Sequence, residues 1–231
     1  MAIITTLTTE PSGAYAADLP TLLHSPGVLD YNYRWCGKSV PGSVTVGAPV
    51  SSWLSTKGDR LDAASSGTAP VLAVSNGIRC LAFDGVDDMM QLAALTQQNT
   101  VIVVLRVTAP TSTTVRMLGT TDADVDIQRT QYNGLALNAP GAANVVIGEA
   151  NPTSWSFIGF WLDSSSGYLD FNSTVSAAAA STGGGVNSLR LGGTANGKFE
   201  IAEILTWSRI LSGAERATVR AALKAAYPAM T

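Results

Sequence analysis

The hydrophobic pattern of this chain is a strand pattern, broken at short intervals by turn residues. Thr100 to Thr108 (Thr-Val-Ile-Val-Val-Leu-Arg-Val-Thr) is almost continuously apolar. Such a run reads as a central strand covered on both faces. Ile78 to Phe83 is a second strand, and Val115 to Gly119, Gly134 to Asn138 and Asn144 to Ile147 are shorter ones between Gly, Asn, Asp and Pro. Val44 to Leu54 reads as an edge or broken strand, because Pro49 interrupts it. Arg60 to Pro70, rich in Asp, Ala, Ser and Gly, reads as a loop. Trp155 to Asp163 and Tyr168 to Phe171 flank Ser164-Ser165-Ser166-Gly167 as a hairpin. Alternation puts Trp155, Phe157 and Trp161 on one face. Ser188 to Leu191 is a strand ended by Gly192-Gly193, and Lys198 to Trp207 is another. In the latter, Phe199, Ile201, Leu205 and Trp207 are expected on one face.

Helical periodicity is confined to the C-terminal region. Ser212 and Glu215 have the spacing of a capping box, Ala-rich sequence follows to Tyr227, and Pro228 ends it. Val219, Ala222, Leu223 and Ala226 form one apolar stripe that would dock on a sheet. Residues 1 to 27 keep no period and carry Pro11, Pro20 and Pro26, so they read as an N-terminal arm. The expected organisation is that arm, followed by a single β-domain over 28–231 with its helix at 213–227.

Composition narrows the function. At 231 residues and 46% hydrophobic, the chain can bury one large core. Charged residues make up only 13%, roughly half the usual share. A surface of small neutral residues repels neighbouring subunits little, which favours assembly. A net charge of −3 without an Arg/Lys cluster leaves no electrostatic footprint for nucleic acid. No stretch approaches the roughly 20 apolar residues of a spanning helix. Met1-Ala2-Ile3-Ile4 has neither the basic region nor the apolar core of a signal peptide, so synthesis in a host cytoplasm without export is expected. Cys36 and Cys80 read as two buried thiols. A zinc site would need more than the single His24 and no Cys-x-x-Cys occurs.

The order of three segments resembles the laminin G-like branch of the concanavalin A-like jelly rolls. The first is Val50 to Trp53, a polar loop, then Asn76-Gly77 through Phe83-Asp84-Gly85-Val86-Asp87-Asp88. The second is Trp155 to Asn172, with Asn172-Ser173 where that branch carries an asparagine-glycine turn. The third runs from Leu189-Arg190-Leu191-Gly192-Gly193 through Phe199-Glu200-Ile201-Ala202-Glu203 to Leu211-Ser212-Gly213-Ala214-Glu215-Arg216. The resemblance covers about residues 45 to 227. It implies an antiparallel β-sandwich with a C-terminal helix, and functions of contact and adhesion more often than of catalysis. Such domains occur in bacterial surface proteins and phage head or tail proteins. The leading expectation is therefore a non-catalytic virion surface protein that binds neighbouring copies of itself and reaches a cell-surface glycan. The alternative is a carbohydrate-binding module, and a glycoside hydrolase ranks last.

Candidate chemistry is sparse. A glycosidase needs two carboxylates facing one cleft. Glu200 and Glu203 are three apart and point to opposite faces of a regular strand, so the pair fails unless a bulge intervenes. Glu203 or Glu200 is then expected to accept hydrogen bonds from a loop or from Arg209. Asp122, Asp124 and Asp126 alternate, would share a face if extended, and would suit Ca²⁺ as hard oxygen ligands. An EF-hand loop would have Gly where Ile127 stands, so a solvated acidic strand is the simpler reading. Asp84, Asp87 and Asp88 raise the same question, with Asp84 expected to bond turn amides. Tyr31, Tyr33 and Tyr132 are the candidate sugar-stacking residues. No cofactor is expected.

Overall fold

The computed structural model describes residues 31–56, 58–63, 65, 68–92, 94–109, 115–120, 126–129, 134–138, 145–147, 152–163, 165–180, 185–193 and 197–230. The expected arm, His24, Asp122, Asp124 and Tyr132 lie outside these residues, and of Asp126 only the backbone is described.

In chain order the strands are β1 (Tyr33–Cys36), β2 (Ser52–Leu54), β3 (Arg60–Ala63), β4 (Val71–Ser75), β5 (Ile78–Phe83), β6 (Met89–Leu92), β7 (Thr100–Ala109), β8 (Val115–Gly119) and β9 (Asp126–Arg129). They continue as β10 (Leu135–Asn138), β11 (Val145–Ile147), β12 (Ser156–Leu162), β13 (Ser166–Phe171), β14 (Thr174–Val175), β15 (Ala179–Ala180), β16 (Leu189–Gly192) and β17 (Lys198–Trp207), and helix α1 (Gly213–Ala226) follows. One sheet has the order β14-β13-β12-β7-β17-β5-β4, with β1 added to β17 and β15 to β13. The other runs β11-β10-β9-β8-β16-β6-β3-β2. The named pairings are antiparallel, and the two sheets face each other as a jelly-roll sandwich.

Two cores result. Between the sheets, Trp35, Trp53, Leu61, Met90, Phe160, Leu191, Phe199 and Ile201 are packed with Val101, Val103, Leu105 and Val107 of β7. On the outer face of the first sheet, Ile102 and Val104 of the same strand join Trp155, Phe157, Leu205 and Trp207 beneath Val219, Ala222, Leu223 and Ala226 of α1. The continuous apolar run of β7 thus has its reason: one face serves each core. The capping box forms as expected, with Ser212 N–H donating to Glu215 Oε2 at 2.7 Å and Glu215 N–H to Ser212 Oγ at 3.3 Å. The helix stops at Ala226, with Tyr227 as its cap. Among the described residues, no helix is long and apolar enough to cross a membrane.

Three expectations change. The broken strand at 44–54 shrinks to β2, because a turn bonds Ala48 N–H to Thr45 O and only a bridge from Pro49 reaches Val71. The loop at 60–70 opens with β3, whose Leu61 is buried between the sheets. Phe199, Ile201, Leu205 and Trp207 do not share a face. Ile201 pairs with Leu105 and Glu203 with Val104, so Ala202 is an extra residue. That bulge turns the strand over, leaving Phe199 and Ile201 in the inner core and Leu205 and Trp207 in the outer one.

Candidate functional site

The same bulge decides the fate of the two glutamates. A regular strand would separate them, but the extra residue brings Glu200 and Glu203 to the outer face of the sheet. Neither is free. Arg34 Nε donates to Glu203 Oε1 at 2.6 Å, and the Tyr227 hydroxyl donates to Glu203 Oε2. Arg106 Nε donates to Glu200 Oε2 at 2.6 Å, and its Nη2 donates to Ser75 Oγ. The expected partner Arg209 instead pairs with Glu215 at 2.8 Å. Glu203 is fully buried. Burial alone would lower the Arg34 value, but the Glu203 carboxylate outweighs it and holds the guanidinium charged. Burial, reinforced by Glu203, pushes the Tyr227 hydroxyl well up, so it stays a donor. Arg34 and Glu203 thus form a buried ion pair.

A second buried carboxylate ties α1 to the sheet. Asp170 of β13 accepts from Arg220 Nη2 at 2.6 Å and lies 3.9 Å from Arg216 Nε. Burial still raises its value, against the pull of both arginines. Arg216 covers the ring of Trp161 at 3.7 Å, and Trp161 stacks on Tyr168 at 5.0 Å. Arg220 covers Phe157 at 4.8 Å. These contacts fasten the helix to the outer face and consume the aromatics there.

The tyrosines expected to share a binding surface are separated. Tyr33 packs against the inner core and stacks on Trp35 at 5.7 Å, whereas Tyr31 packs against the outer core. Cys36 and Cys80 are buried free thiols, and burial pushes the Cys80 thiol up, away from reactivity.

Among the described residues, a cleft opens at the end of the first sheet, where β5 and β7 finish and β17 begins. It has a volume of about 260 Å³ and is lined by Val71, Ala82, Phe83, Asp84, Asp88, Thr108 and Lys198. Its acidic wall is the turn after β5. Asp84 Oδ1 accepts Val86 N–H at 2.8 Å, the expected Asx role, and Asp88 Oδ2 accepts Asp84 N–H at 2.7 Å. The Asp84, Asp87 and Asp88 carboxylates have oxygens within 4.8 Å of one another. Burial raises the Asp88 value, with Asp84 and Asp87 adding to it. The turn is braced from the second sheet. Gly193 N–H bonds Asp88 O at 3.0 Å, and a Cβ on Gly192, which has φ +69°, would stand 2.2 Å from that same oxygen. Along β17, Lys198 pairs with Ala109 and Phe199 with Val107, so Thr108 is again an extra residue. The sequence alone gave no signal for this cleft, because its walls come from four separate segments.

No protein-family description matches the chain, and no curated protein matches it. Solved structures do. A Trypanosoma rangeli sialidase in complex with sialic acid superposes with a TM-score of 0.55 at 12% identity, covering 78% of this chain and 33% of that one. The binding domain of botulinum neurotoxin serotype D superposes with a TM-score of 0.53 at 9% identity, covering 76% of this chain and 51% of that one. The chain therefore spans about a third to a half of the length of these structures. At such identities the likeness is one of fold, and the fold it shows is the antiparallel jelly-roll sandwich of the concanavalin-like kind.

Proposed function

We propose that this protein is a non-catalytic carbohydrate-binding module. The observation that carries the reading is the neutralisation of Glu200 and Glu203. The bulge presents both on one face, as a hydrolase on this fold would need, yet each is held by an arginine at 2.6 Å. A retaining or inverting mechanism needs one carboxyl able to give up a proton and a second facing the same substrate, roughly 5 to 10 Å apart. Here Glu203 is enclosed beneath Tyr227 at the end of α1. The sialidase bound to sialic acid is a fold neighbour, which supports including sialylated as well as neutral glycans among the test ligands. The experiment is a glycan panel read twice, for binding and for released sugar. Binding without release is expected, and release of sugar from any member overturns the reading.

A second reading is favoured by one observation, the 13% share of charged residues. It is the virion surface protein, of head or tail, contacting copies of itself. The sheet edges are short, with two residues in β14 and three in β2, and the start of β4 is covered by bonds from Gly47 to Leu72 and from Leu72 to Ala48. Such blunted edges resist edge-to-edge pairing, so assembly would use faces and loops. Light scattering tests it: a protein that stays a monomer up to high concentration removes this reading.

A further inference from the structure

We propose that the outer face of β13 and β14 carries a subsite for one acidic sugar ring stacked on Tyr168, an assignment that rests on the carbohydrate reading above. The site lies where a column of stacked groups ends. Arg216 lies over the Trp161 ring at 3.7 Å, and Tyr168 stacks on that ring at 5.0 Å with the planes 11° apart. Two groups that close to one ring occupy opposite faces, so Trp161 is enclosed on both, and it is 6% exposed. Tyr168 is covered by Trp161 on one face and is partly exposed.

Parallel rings at that separation are face to face, so the far face of Tyr168 looks across β14. The described side chains there are short and apolar. Val175 pairs with Asp170, and Ser176 N–H bonds Leu169 O at 2.8 Å, which sets Ala177 beside Tyr168. Ala177 is exposed, and Val175 is 46% exposed on the same face. An aromatic face above an exposed apolar floor has room for one more ring in the column. A pyranose lays its C–H face against such a surface and keeps its hydroxyls at the rim, in water.

The charge beside this surface selects an acid. Asp170 follows Tyr168 by two residues on the same face of β13, and it is shared by Arg220 at 2.6 Å and Arg216 at 3.9 Å. Two guanidinium groups thus face one carboxylate, and Arg220 Nε is buried without a hydrogen-bond partner. The other carboxylates close by are occupied. Asp163 Oδ1, at the hairpin between β12 and β13, accepts the Ser165 and Ser166 amides at 2.7 and 2.6 Å, and Glu215 pairs with Arg209. The local surplus is therefore positive, on a chain whose net charge is −3. A carboxylate on the sugar answers that surplus, and a neutral sugar leaves it to solvent. A phosphate alone has no apolar face for Tyr168, and a neutral aromatic ligand leaves the charge unanswered.

The test is saturation-transfer NMR of the whole chain with methyl glucuronide and methyl sialoside, with methyl glucoside as the neutral control and AMP as an aromatic anion. Wild type should bind at least one acidic glycoside about tenfold more tightly than the glucoside, with the strongest transfer to ring C–H protons. Tyr168→Ala removes the stacking face, and Ala177→Leu fills the space beside it while Tyr168 stays in place. Each should weaken binding about tenfold, and Tyr168→Phe should bind as wild type. Ala177 is exposed, so Ala177→Leu should unfold at the wild-type temperature and carries the test even if Tyr168→Ala does not fold. Binding that survives Ala177→Leu unchanged, or that appears only with other glycans on a wider panel, overturns this subsite and leaves the carbohydrate reading standing. Equal binding of glucoside and acidic glycosides overturns the preference for an acid. AMP binding in place of the glycosides overturns the sugar assignment. A wild type that binds nothing here and nothing on the wider panel overturns both readings.

Discussion

At the scale of single residues, the structure depends on a few positions whose chemistry is unusual for their place. Asn172 and Ser173 both have positive φ, 47° and 90°, and join β13 to β14 in a two-residue turn. Asparagine tolerates that conformation, whereas serine is strained there. Ser173→Gly should therefore raise stability, by about 1 kcal/mol, read as a higher midpoint in thermal unfolding. The buried pair Arg34–Glu203 makes a stronger demand. Arg34→Ala would leave the Glu203 charge in the outer core without its arginine counter-charge, at a cost of about 3 to 5 kcal/mol. The double variant Arg34→Met, Glu203→Leu should recover much of that loss in a denaturant melt. Equal destabilisation of single and double variants would contradict the assignment of Glu203 as a structural partner.

At the scale of elements, much was legible where one period persists. The cap at Ser212, the stripe of α1 and the doubly covered β7 were readable, because helical spacing and an unbroken apolar run each leave one simple solution. The face of β17 was not. Alternation assigns Phe199 and Leu205 to one side, and a single inserted residue at Ala202 overturns it without any mark in the sequence. β3 was missed for another reason: Arg-Leu-Asp-Ala offers one apolar residue, and only pairing with β2 and β6 extends it. The cap also sets a pH dependence. Hydrogen bonds from Ser212, then the nearby Arg209, hold Glu215 below the usual glutamate range. A depressed folded value means the contribution is present above the ordinary glutamate value and is lost as pH falls through the folded one. Stability should fall over that acid range in wild type, and Glu215→Gln should flatten this part of the profile. Ser212→Ala should lower stability by about 1 kcal/mol at neutral pH.

At the scale of the whole molecule, the first sheet is the common wall of two cores. Its centre is formed by β7 and β17, which contribute side chains to both cores.

 The sandwich itself was legible in the sequence, since turn residues punctuate its strands at short intervals. The cleft was not, because Val71, Ala82, Thr108 and Lys198 meet only after β4, β5, β7 and β17 have paired. The acidic turn from Asp84 to Asp88 was visible as a turn, but nothing local placed Lys198 at the same cleft.

The central claim is that this sandwich binds a glycan and leaves it intact, its strand glutamates being committed to arginines. Isothermal titration calorimetry against neutral and sialylated oligosaccharides tests this most directly, because binding and turnover give different heats. The account predicts heats that saturate at a fixed stoichiometry and then stop. A sustained heat that continues after saturation and scales with protein concentration, with free sugar in the cell afterwards, would contradict it.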